Sequence, residues 1–490
     1  MSHKLNRRDF LRKVGVTVSA LALPGCNNAL SNLNGRATQK PNILILFTDD
    51  QRFSTIGALD NPEIKTPNLD KLVRRGTTFT RAHIMGGCHG AICMPSRAML
   101  ITGKSYFHLP KSVTTTWDAP AEQRGDCPYV TFPELFRAND YATFGTGKWH
   151  NGKKLFAKGF THGDEIFFLG MHTLDQGGHH TPKVFHFDPA GKYPESQKYT
   201  AKKFSSTLYS DAAINFLNQH NSDQPFLMYV SYTAPHDPRH APKEYVDMYP
   251  PEKITLPKNF LPEHPFDNGE LKIRDEMLAP FPRTPEIVRE HLGAYYAMIT
   301  QLDDQVGRIL ETLKQTGQAD NTIIIFTSDN GLAVGQHGLL GKQNLYDHSV
   351  RVPLIISGPS IKKDRACNSL CYIHDIFPTI CELSGLTVPE SVESKSLVPL
   401  LKNPKVQLYE SVFFAYRNLQ RGIRKGNYKL IVYPKVKITQ LFNLAKDPWE
   451  TTNLAQDPQY STTVKQLFSE LKTWQKNAGD TLDLAEPFGN

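Results

Sequence analysis

The segment from Cys88 to Lys104 places a thiol beside groups that can bind an anion. It predicts a loop that runs into a helix, because Pro95 suits a first helical turn and Gly103 suits a helix end. The thiol of Cys93 then lies just before the helix N-terminus, and Arg97 follows about one turn later. Free backbone N–H groups and a guanidinium form a site for a tetrahedral oxyanion. An isolated cysteine at a helix start is more often a buried structural residue, so the chemistry depends on the whole segment.

Two apolar segments far apart in the chain end in similar polar residues. The first runs into Asp49 and Asp50, and the second runs into Asp329 and Asn330. Ligands of open α/β sheets bind beyond the carboxyl ends of the strands, so we expect these pairs to meet at one edge. Three carboxylates and an amide oxygen suit a hard cation, Ca²⁺ or Mg²⁺. Either pair alone is more simply a turn or a helix cap, and their coincidence favours a metal site.

Cationic and proton-transferring residues follow other predicted strands. Lys148, His150 and His236 come directly after strand-like segments, and Lys342 follows a glycine-rich loop. Each of them alone is more simply a solvated or capping residue. Together at one sheet edge they supply positive charge and proton-transfer groups.

The thiol-bearing segment resembles the signature of type I, formylglycine-dependent sulfatases of the alkaline phosphatase superfamily. That signature reads Cys-x-Pro-Ser-Arg-x-x-x-x-Thr-Gly-Arg, and this chain departs from it only at Lys104. The charge survives this change, and the bidentate geometry of arginine does not. Gly-Lys-x-His at 147–150, Ala-Pro-His at 234–236 and Ser-Asp-Asn-Gly-x-x-x-Gly-x-His-Gly at 328–338 follow in the family's order. The resemblance extends over residues 41–455.

The resemblance implies a modified residue and a metal ion. A formylglycine-generating enzyme would oxidise Cys93 to formylglycine (3-oxoalanine), whose hydrate is the nucleophile in the family. The ligands of one Ca²⁺ would be Asp49, Asp50, Cys93 in its modified form, Asp329 and Asn330.

The resemblance also implies roles for the remaining polar residues. Arg97 and the cation would stabilise the nucleophile, and Lys148 and Lys342 would stabilise charge on the sulfuryl oxygens. His236 would protonate the leaving oxygen, and His150 would accept the proton of the second hydroxyl.

The substrate hypothesis depends on two long irregular segments, residues 155–200 and 241–285. Loops of this length in a compact domain are usually functional. The residues in or next to them that could contact a carboxylate or a second sulfate are His179, His180, Arg239 and His240. Loop solubility explains these residues equally well. We favour a carbohydrate exo-sulfatase acting on polysaccharide-derived fragments, with ulvan, carrageenan and glycosaminoglycans all open.

Two other functions are compatible with parts of the sequence. A formylglycine-dependent phosphonate or phosphate ester hydrolase can share the Cys-x-Pro-Ser-Arg string. A polysaccharide-binding lipoprotein that has lost catalysis is a second alternative. The intact Cys93, Arg97, Lys148 and His150, together with all four polar metal positions, argue against the latter.

The order of elements predicts an α/β fold, a large mixed and mostly parallel sheet between helices. Buried strands are predicted at 42–47, 226–230 and 322–327, and the clearest helix at 288–314. From about residue 388 short strands precede a closing helix at 462–474. We therefore predict a catalytic domain at 41–388 and, at 389–490, a C-terminal subdomain of antiparallel sheet plus helix.

The N-terminus has the features of an export signal. Asn6-Arg7-Arg8-Asp9-Phe10-Leu11 resembles a twin-arginine motif, and an apolar run follows. Leu23-Pro24-Gly25-Cys26 resembles a lipobox that would make Cys26 a lipidated N-terminus, although Pro24 is atypical there. We expect residues 1–26 to be the signal, 27–40 a linker, and the protein to be a periplasmic, membrane-anchored lipoprotein.

Composition excludes several other classes. The 490 residues are 39% hydrophobic and 21% charged, which is typical of a globular protein with an ample core. The net charge of +8 is not clustered, so it does not indicate nucleic-acid binding and is compatible with a polyanionic substrate. Among seven cysteines, Cys367, Cys371 and Cys381 could form a disulfide in an oxidising compartment. No spacing favours zinc.

Overall fold

The computed structural model describes residues 40–221 and 223–484. The predicted signal at 1–26, the lipidation of Cys26 and nearly all of the predicted linker lie outside these residues. Within the described ranges every helix is too short or too polar to cross a bilayer.

A large central sheet positions the polar residues singled out above. Its strands are β1 (Asn42–Thr48), β2 (Gly76–Phe79), β5 (Ala142–Lys148), β6 (His162–Phe167), β9 (Phe226–Ser231), β10 (Thr322–Ser328), β11 (Leu354–Ser357) and β12 (Arg365–Cys367). They lie in the order β12-β2-β11-β10-β1-β9-β5-β6. The strands from β10 to β6 are parallel, whereas β11 is antiparallel to both of its neighbours. This arrangement confirms the predicted mixed, mostly parallel sheet.

The two central strands, β1 and β10, position the acidic residues that follow them. β1 is an apolar run that is buried along its whole length, as expected of a strand covered on both faces. It pairs with β10 in register from Asn42 opposite Thr322 to Thr48 opposite Ser328. The two strands therefore end side by side, and the acidic residues that follow them emerge at one edge.

Helices pack on both faces of this sheet. Those of the main body are α1 (Pro67–Arg75), α2 (Cys93–Thr102), α3 (Lys111–Thr114), α4 (Phe132–Arg137), α5 (Lys153–Gly159), α6 (Ser205–Gln219), α7 (Lys243–Val246), α8 (Pro285–Gln315), α9 (Asp347–Val350) and α10 (Ile376–Leu383). The long α8 confirms the strongest periodic pattern in the sequence, and Thr284 caps its N-terminus. Short pairs of strands lie outside the main sheet, namely β3 (Ala82–His83) with β13 (Cys371–Tyr372), and β7 (Lys183–Val184) with β8 (Tyr199–Thr200).

The C-terminal part forms a second, antiparallel sheet. It contains β14 (Ser411–Tyr416), β15 (Gln420–Lys425), β16 (Tyr428–Tyr433) and β17 (Ile438–Asn443), together with α11 (Val398–Lys402) and the closing helix α12 (Ser461–Ala478). A strand from the first half of the chain, β4 (Gly86–Gly87), adds to its edge in parallel with β14. One hydrophobic cluster includes residues of both sheets, among them Ile45 and Phe413. The predicted boundary near residue 388 is therefore a change of sheet within a continuous core.

Some local predictions were wrong. Residues 155–159 and 162–167 belong to α5 and β6 where an irregular segment was expected. Helix α5 buries the adjacent Leu155 and Phe156, and two neighbouring apolar residues do not give a helical periodicity. The residue pattern at 367–386 also predicts a helix, but only the part from Ile373 is helical, and Cys371–Tyr372 before it forms β13. The cysteines of the described ranges all carry free thiols.

Candidate active site

The thiol lies at the first residue of α2, as the sequence predicts. Cys93 is only 2% exposed, and burial raises the pKa of its thiol. Its Sγ is 3.4 Å from Nδ1 of His150. At the other end of α2 Gly103 adopts a left-handed conformation with φ of 65°, and its N–H donates to the carbonyl of Met99 at 2.8 Å. This is a typical glycine helix end.

The acidic residues after β1 and β10 meet at the sheet edge, as predicted. The backbone N–H of Asp50 donates to Oδ1 of Asp329 at 3.1 Å. Nδ2 of Asn330 donates to Oδ1 of Asp50. Asp50 itself has a φ of 68°, a conformation that residues other than glycine seldom adopt outside constrained sites. All of these side chains are almost completely buried.

Three buried cations balance the three carboxylates. Nε of Arg97 donates to Oδ2 of Asp329 at 2.8 Å, and Nζ of Lys342 donates to Oδ1 of Asp50 at 2.6 Å. Lys148, the last residue of β5, donates to Oδ2 of Asp49. These six side chains, together with the uncharged Asn330, are called here the floor cluster, which is formally neutral. A divalent cation would therefore give it a positive charge that suits an anionic ester.

Hydrogen bonds and a ring contact fix the position of the Arg97 guanidinium. Its Nη1 donates to the carbonyl of Lys148 at 3.1 Å and to Oγ of Ser231 at 2.6 Å. Its guanidinium lies 4.8 Å from the ring centroid of Phe47. These contacts link α2 to the ends of β1, β5, β9 and β10. The geometry makes Arg97 an organising residue of the floor cluster.

The donor atoms of the floor cluster fit a hard cation. Oδ1 of Asp49 and Oδ1 of Asn330 are buried and have no hydrogen-bond partner among the described residues. Ligand atoms of Asp49, Cys93 and Asp329 all lie within 4.8 Å of one another. Unpaired buried oxygens are costly unless they bind something. An oxygen-rich set of this kind is suited to Ca²⁺ or Mg²⁺.

The electrostatics of the charged residues follow from their contacts. Burial alone raises the pKa of Asp49, but Lys148 and His236 together with Arg97 hold it well below its usual range. Burial lowers the pKa of Lys342, yet the Asp50 carboxylate beside it raises that pKa well above the ordinary value. Both residues are therefore charged at neutral pH.

The two histidines of the site have opposite protonation preferences. Burial, and then the charge of Lys148, lowers the pKa of His150 well below its ordinary value. Burial also opposes the charged form of His236, but Asp50 raises its pKa above the ordinary value. Nε2 of His236 is 3.6 Å from Oδ2 of Asp50, and its Nδ1–H donates to the carbonyl of Asp237 at 2.9 Å. The site thus contains one histidine beside the thiol whose surroundings favour the neutral form, and a second histidine whose surroundings favour the protonated form.

A cavity of about 410 Å³ opens above these groups. Cys93, His150, His236 and Lys342 all line it. The four residues proposed for substrate contact do not. His179 is fully buried, with Nδ1 2.8 Å from Oγ of Ser205 and Nε2 3.0 Å from the carbonyl of His236.

The other three residues proposed for substrate contact also lie apart from the cavity. Nη1 of the buried Arg239 lies 2.7 Å from Nδ1 of His291, whereas His180 and His240 are exposed. The structure therefore corrects the prediction of direct contact for His179 and Arg239, because packing encloses both. His179 instead supports the loop that carries His236.

Sequence reasoning missed the walls of the cavity. They include His89, Trp117, Arg274 and Gln343. None of these residues belongs to a periodic element, and their approach depends on how loops fold over the sheet edge. Among these residues only His89 had a signal in the sequence, because His89 lies within the Cys88–Lys104 segment.

The residue that departs from the family signature has a structural role here. Nζ of Lys104 donates to Oε1 of Glu393 at 2.5 Å and to the carbonyl of Ser391 at 2.9 Å. It also lies 4.4 Å from the ring centroid of Tyr129. Lys104 thus connects the end of α2 to the segment before α11, and it does not line the cavity.

Comparison with known proteins agrees with this geometry. The Sulfatase family model matches residues 41–386, and the model described as N-sulphoglucosamine sulphohydrolase, C-terminal, matches residues 335–477. The chain therefore belongs to the sulfatase family and is a sulfuric ester hydrolase.

Individual relatives align over nearly the whole chain. An N-acetylglucosamine-6-O-sulfatase of Bacteroides thetaiotaomicron is 27% identical, over 94% of this chain and 90% of the relative. An ulvan-active sulfatase of Formosa agariphila is 29% identical, over 96% of this chain and 88% of the relative. A structure solved with its substrate D-glucosamine-2-N,6-O-disulfate superposes with a TM-score of 0.73 at 24% identity, covering 90% and 99% of the two chains. This last likeness shows that the fold is shared.

Proposed function

We propose that this protein hydrolyses sulfate esters of carbohydrates, with formylglycine made from Cys93 and one bound Ca²⁺. The observation that carries the proposal is the position of Cys93. It lies at the start of α2, buried at the base of the cavity, beside an oxygen-rich cluster with unpaired acceptors. A thiol with a raised pKa is a poor nucleophile, which favours a modified residue at this position.

The metal would be held by Asp49, Asp50, Asp329 and Asn330 together with residue 93. It would supply positive charge to an oxygen of the sulfate group. Formylglycine, in its hydrated form, would supply the attacking hydroxyl. The unpaired oxygens of Asp49 and Asn330 support this ligand set.

The chain's own residues bind the ester and move the protons. Lys342 and Lys148 place ammonium groups beside the reacting centre, where they stabilise negative charge on sulfuryl oxygens. Asp50 raises the pKa of His236, which favours its protonated form, and His236 lines the cavity, so it would donate the Nε2 proton to the leaving oxygen. His150 is neutral and lies beside residue 93, so it can accept a proton there. The near-complete burial of these groups excludes water and strengthens the interactions.

A carbohydrate substrate is supported by two observations. The relatives include enzymes named for N-acetylglucosamine-6-O-sulfate and for ulvan. The cavity volume of about 410 Å³ is within the range of small-molecule sites and leaves room for a sugar ring beyond the sulfate.

The sequence-based export signal completes the proposal. We infer that the protein leaves the cytoplasm through the twin-arginine motif at residues 6–11 and is anchored by lipid at Cys26. Cell fractionation of wild type and Cys26→Ala tests this. We expect Cys26→Ala to move the protein from the membrane to the soluble periplasm, and recovery of the wild type in the cytoplasm would contradict export.

Sulfate release from a panel of sulfated sugars tests the central proposal. The protein is co-expressed with a formylglycine-generating enzyme, and peptide mass establishes conversion of Cys93. Wild type is expected to release sulfate, and Cys93→Ala is expected to lower the rate by about 10³-fold or more without changing thermal stability. Ser394→Ala is the control variant and is expected to keep the wild-type rate of sulfate release. Ser96→Ala is not suitable as a control, because the hydroxyl of Ser96 donates to the carbonyl of Asp329. Hydrolysis of phosphonate or phosphate esters, but no sulfate ester, by the converted enzyme would overturn the proposal.

A further inference from the structure

The cavity has a charged floor and walls of a different character. The catalytic groups form the floor, as described above. The wall residues with apolar side chains are Ala91, Trp117, Leu169, Met171 and Ile273. Trp117 and Leu169, which are 41% and 43% exposed, are large apolar side chains that line the same cavity. Such exposure at the mouth of a binding cavity indicates a surface that a ligand covers.

Trp117 is fixed on one side and accessible on the other. Its ring centroid lies 4.8 Å from that of His89 in an edge-on contact and 5.8 Å from that of His150. The indole is therefore held next to the residue that faces Cys93. The C–H face of a sugar ring is apolar, and an indole held at this position offers it a flat, apolar contact surface.

The charged wall opposite is already neutralised by its own partners. Arg274 donates from Nε at 3.1 Å and from Nη2 at 2.7 Å to Oδ1 of Asp275. It also donates from Nη2 at 2.8 Å and from Nη1 to the carboxylate of Asp237. Four of the five N–H bonds of the guanidinium are thus engaged. In the trio of Asp237, Arg274 and Asp275 two carboxylates share one guanidinium, and Nδ1 of His236 also lies 3.2 Å from Oδ1 of Asp237. This wall therefore offers a second anion two carboxylates and no unpaired cation, which disfavours binding of that anion.

The remaining histidine of the wall is also uncharged. The backbone N–H of Ala91 donates to Nδ1 of His89 at 3.2 Å, so this nitrogen is an acceptor and the proton lies on Nε2. Burial lowers the pKa of His89 as well. Its Nε2–H can donate to a hydroxyl group but supplies no positive charge.

We propose that this cavity selects a sugar whose reacting sulfate is its only anionic group, with the sugar ring seated against Trp117. The inference rests on the proposed function and narrows its substrate class. Sugars that carry a carboxylate or a second sulfate on the ring next to the reacting ester are disfavoured by the Asp237–Arg274–Asp275 wall. Neutral hydroxyl and acetamido groups can use the one free N–H of Arg274 and that of His89.

Matched pairs of substrates test the selectivity. Monosulfated neutral hexoses and N-acetylhexosamines are compared with the same sugars carrying a second sulfate, for example N-acetylglucosamine 6-sulfate against N-acetylglucosamine 3,6-disulfate. We expect kcat/KM to be about tenfold or more higher for the monosulfated member. Equal or higher kcat/KM for the disulfated member would overturn the inference.

Two variants test whether the cavity walls, and not the reacting groups, determine the substrate preference. Trp117→Ala is expected to raise KM for the monosulfated sugar about tenfold, and Trp117→Phe is expected to retain most of the affinity. Asp275→Asn removes one negative charge from the wall and is expected to raise the ratio of disulfated to monosulfated kcat/KM several-fold. The controls are Leu174→Ala and Glu195→Gln, which are exposed and do not line the cavity. Unchanged KM in Trp117→Ala, or an unchanged ratio in Asp275→Asn, would contradict the inference.

Two further measurements keep the inference separate from the proposed function. A Cys93-dependent release of sulfate from an aryl sulfate, with a preference for disulfated sugars, would overturn the inference and leave the sulfatase function intact. Calorimetric binding of both sugars to Cys93→Ala needs no turnover. Tighter binding of the monosulfated sugar supports the inference even where hydrolysis fails, and tighter binding of the disulfated sugar overturns it.

Discussion

The molecule contains two buried charge clusters, and they differ in their position relative to the cavity. The floor cluster lies at the ends of β1, β5 and β10. A second cluster, called here the interface cluster, lies between the central sheet and the C-terminal sheet. Its members are Asp347, Arg424, Lys429 and Glu450.

The charged groups of the interface cluster form ion pairs with one another. Nζ of Lys429 is 2.8 Å from Oδ1 of Asp347 and 2.7 Å from Oε1 of Glu450. Nη1 of Arg424 is 3.2 Å from Oδ2 of Asp347, and the N–H of Asp347 donates to Oε2 of Glu450 at 2.7 Å. Each carboxylate oxygen of this cluster therefore has a nitrogen atom within 3.2 Å, although Oε1 of Glu450 and Nε of Arg424 make no hydrogen bond among the described residues.

The floor cluster also leaves acceptors unpaired in the described part of the chain. It has as many cations as carboxylates, yet Oδ1 of Asp49 and Oδ1 of Asn330 have no hydrogen-bond partner among the described residues. The floor cluster also lies beside Cys93, which lines the cavity, whereas the interface cluster contributes no residue to the cavity lining. The comparison teaches that burial of charge alone does not identify a site, and that a buried charge cluster next to a cavity is the stronger candidate.

The comparison predicts that only the floor cluster responds to a metal. Asp329→Asn removes one ligand charge and the ionic partner of Arg97, so sulfate release is expected to fall by about 10³-fold. Ca²⁺ at a hundred times its Kd is expected to stabilise chelator-treated wild type by about 2.7 kcal/mol and to have little effect on Asp329→Asn. Thermal unfolding with and without Ca²⁺ measures this. Full stabilisation of the variant by Ca²⁺ would remove Asp329 from the ligand set.

Breaking the interface cluster is expected to affect stability and not chemistry. Lys429→Met leaves two buried carboxylates without their shared cation, which costs about 3–5 kcal/mol. The rate per folded molecule is expected to stay within twofold. Lys425→Met is the control, since its ion pair with Glu470 is half-exposed and worth about 1 kcal/mol or less. Urea unfolding of both variants measures the loss in free energy of unfolding. An equal loss in Lys429→Met and Lys425→Met would show that the interface cluster stabilises the fold no more than an exposed ion pair does.

Breaking the Arg274–Asp237 ion pair at the cavity wall is expected to lower kcat by less than the loss of Asp329. Arg274 holds Asp237, whose carbonyl accepts from His236, so Arg274→Met is expected to misplace the proton donor. We expect kcat for sugar sulfates to fall about tenfold and kcat for aryl sulfates to fall much less, because an aryl leaving group needs no proton. Steady-state kinetics on both substrates measures the difference. An equal loss on both would indicate a general distortion of the cavity.

The smallest effect is expected at the position that departs from the family signature. Lys104→Arg restores the family residue at a site that contacts Glu393 and not the reacting groups. The rate of sulfate release is expected to change less than twofold, and the free energy of unfolding by no more than about 1 kcal/mol. A tenfold change in kcat would show that Lys104 communicates with the floor cluster. Kinetics and urea unfolding of the same preparation provide both values.

Much of the fold and of the floor of the site follows from local features of the sequence. The apolar runs at β1, β9 and β10 are too continuous to be anything but buried strands. Asp49, Asp50, Asp329 and Asn330 then meet because parallel strands end at a common edge. The helix that starts at Cys93 and ends at Gly103 is likewise encoded by its own residues.

Other features depend on contacts that no local pattern encodes. Strand β4 is only Gly86–Gly87, and its pairing with β14 exists because two distant parts of the chain share one core. The burial of His179 beneath His236 reverses the expectation drawn from its glycine- and histidine-rich neighbourhood.

The sequence by itself determined the class of chemistry, since the thiol, the acidic pairs and the strands that carry them are set by short-range patterns and by the rule that parallel strands share an edge. The tertiary structure alone decided the walls of the cavity. Trp117, Arg274 and Asp275 come from irregular segments, and their approach to Cys93 is fixed by long-range packing of loops over the sheet. The residues proposed for catalysis can thus be found from strand ends and helix starts, whereas the residues proposed to select the sugar come together only when the loops pack.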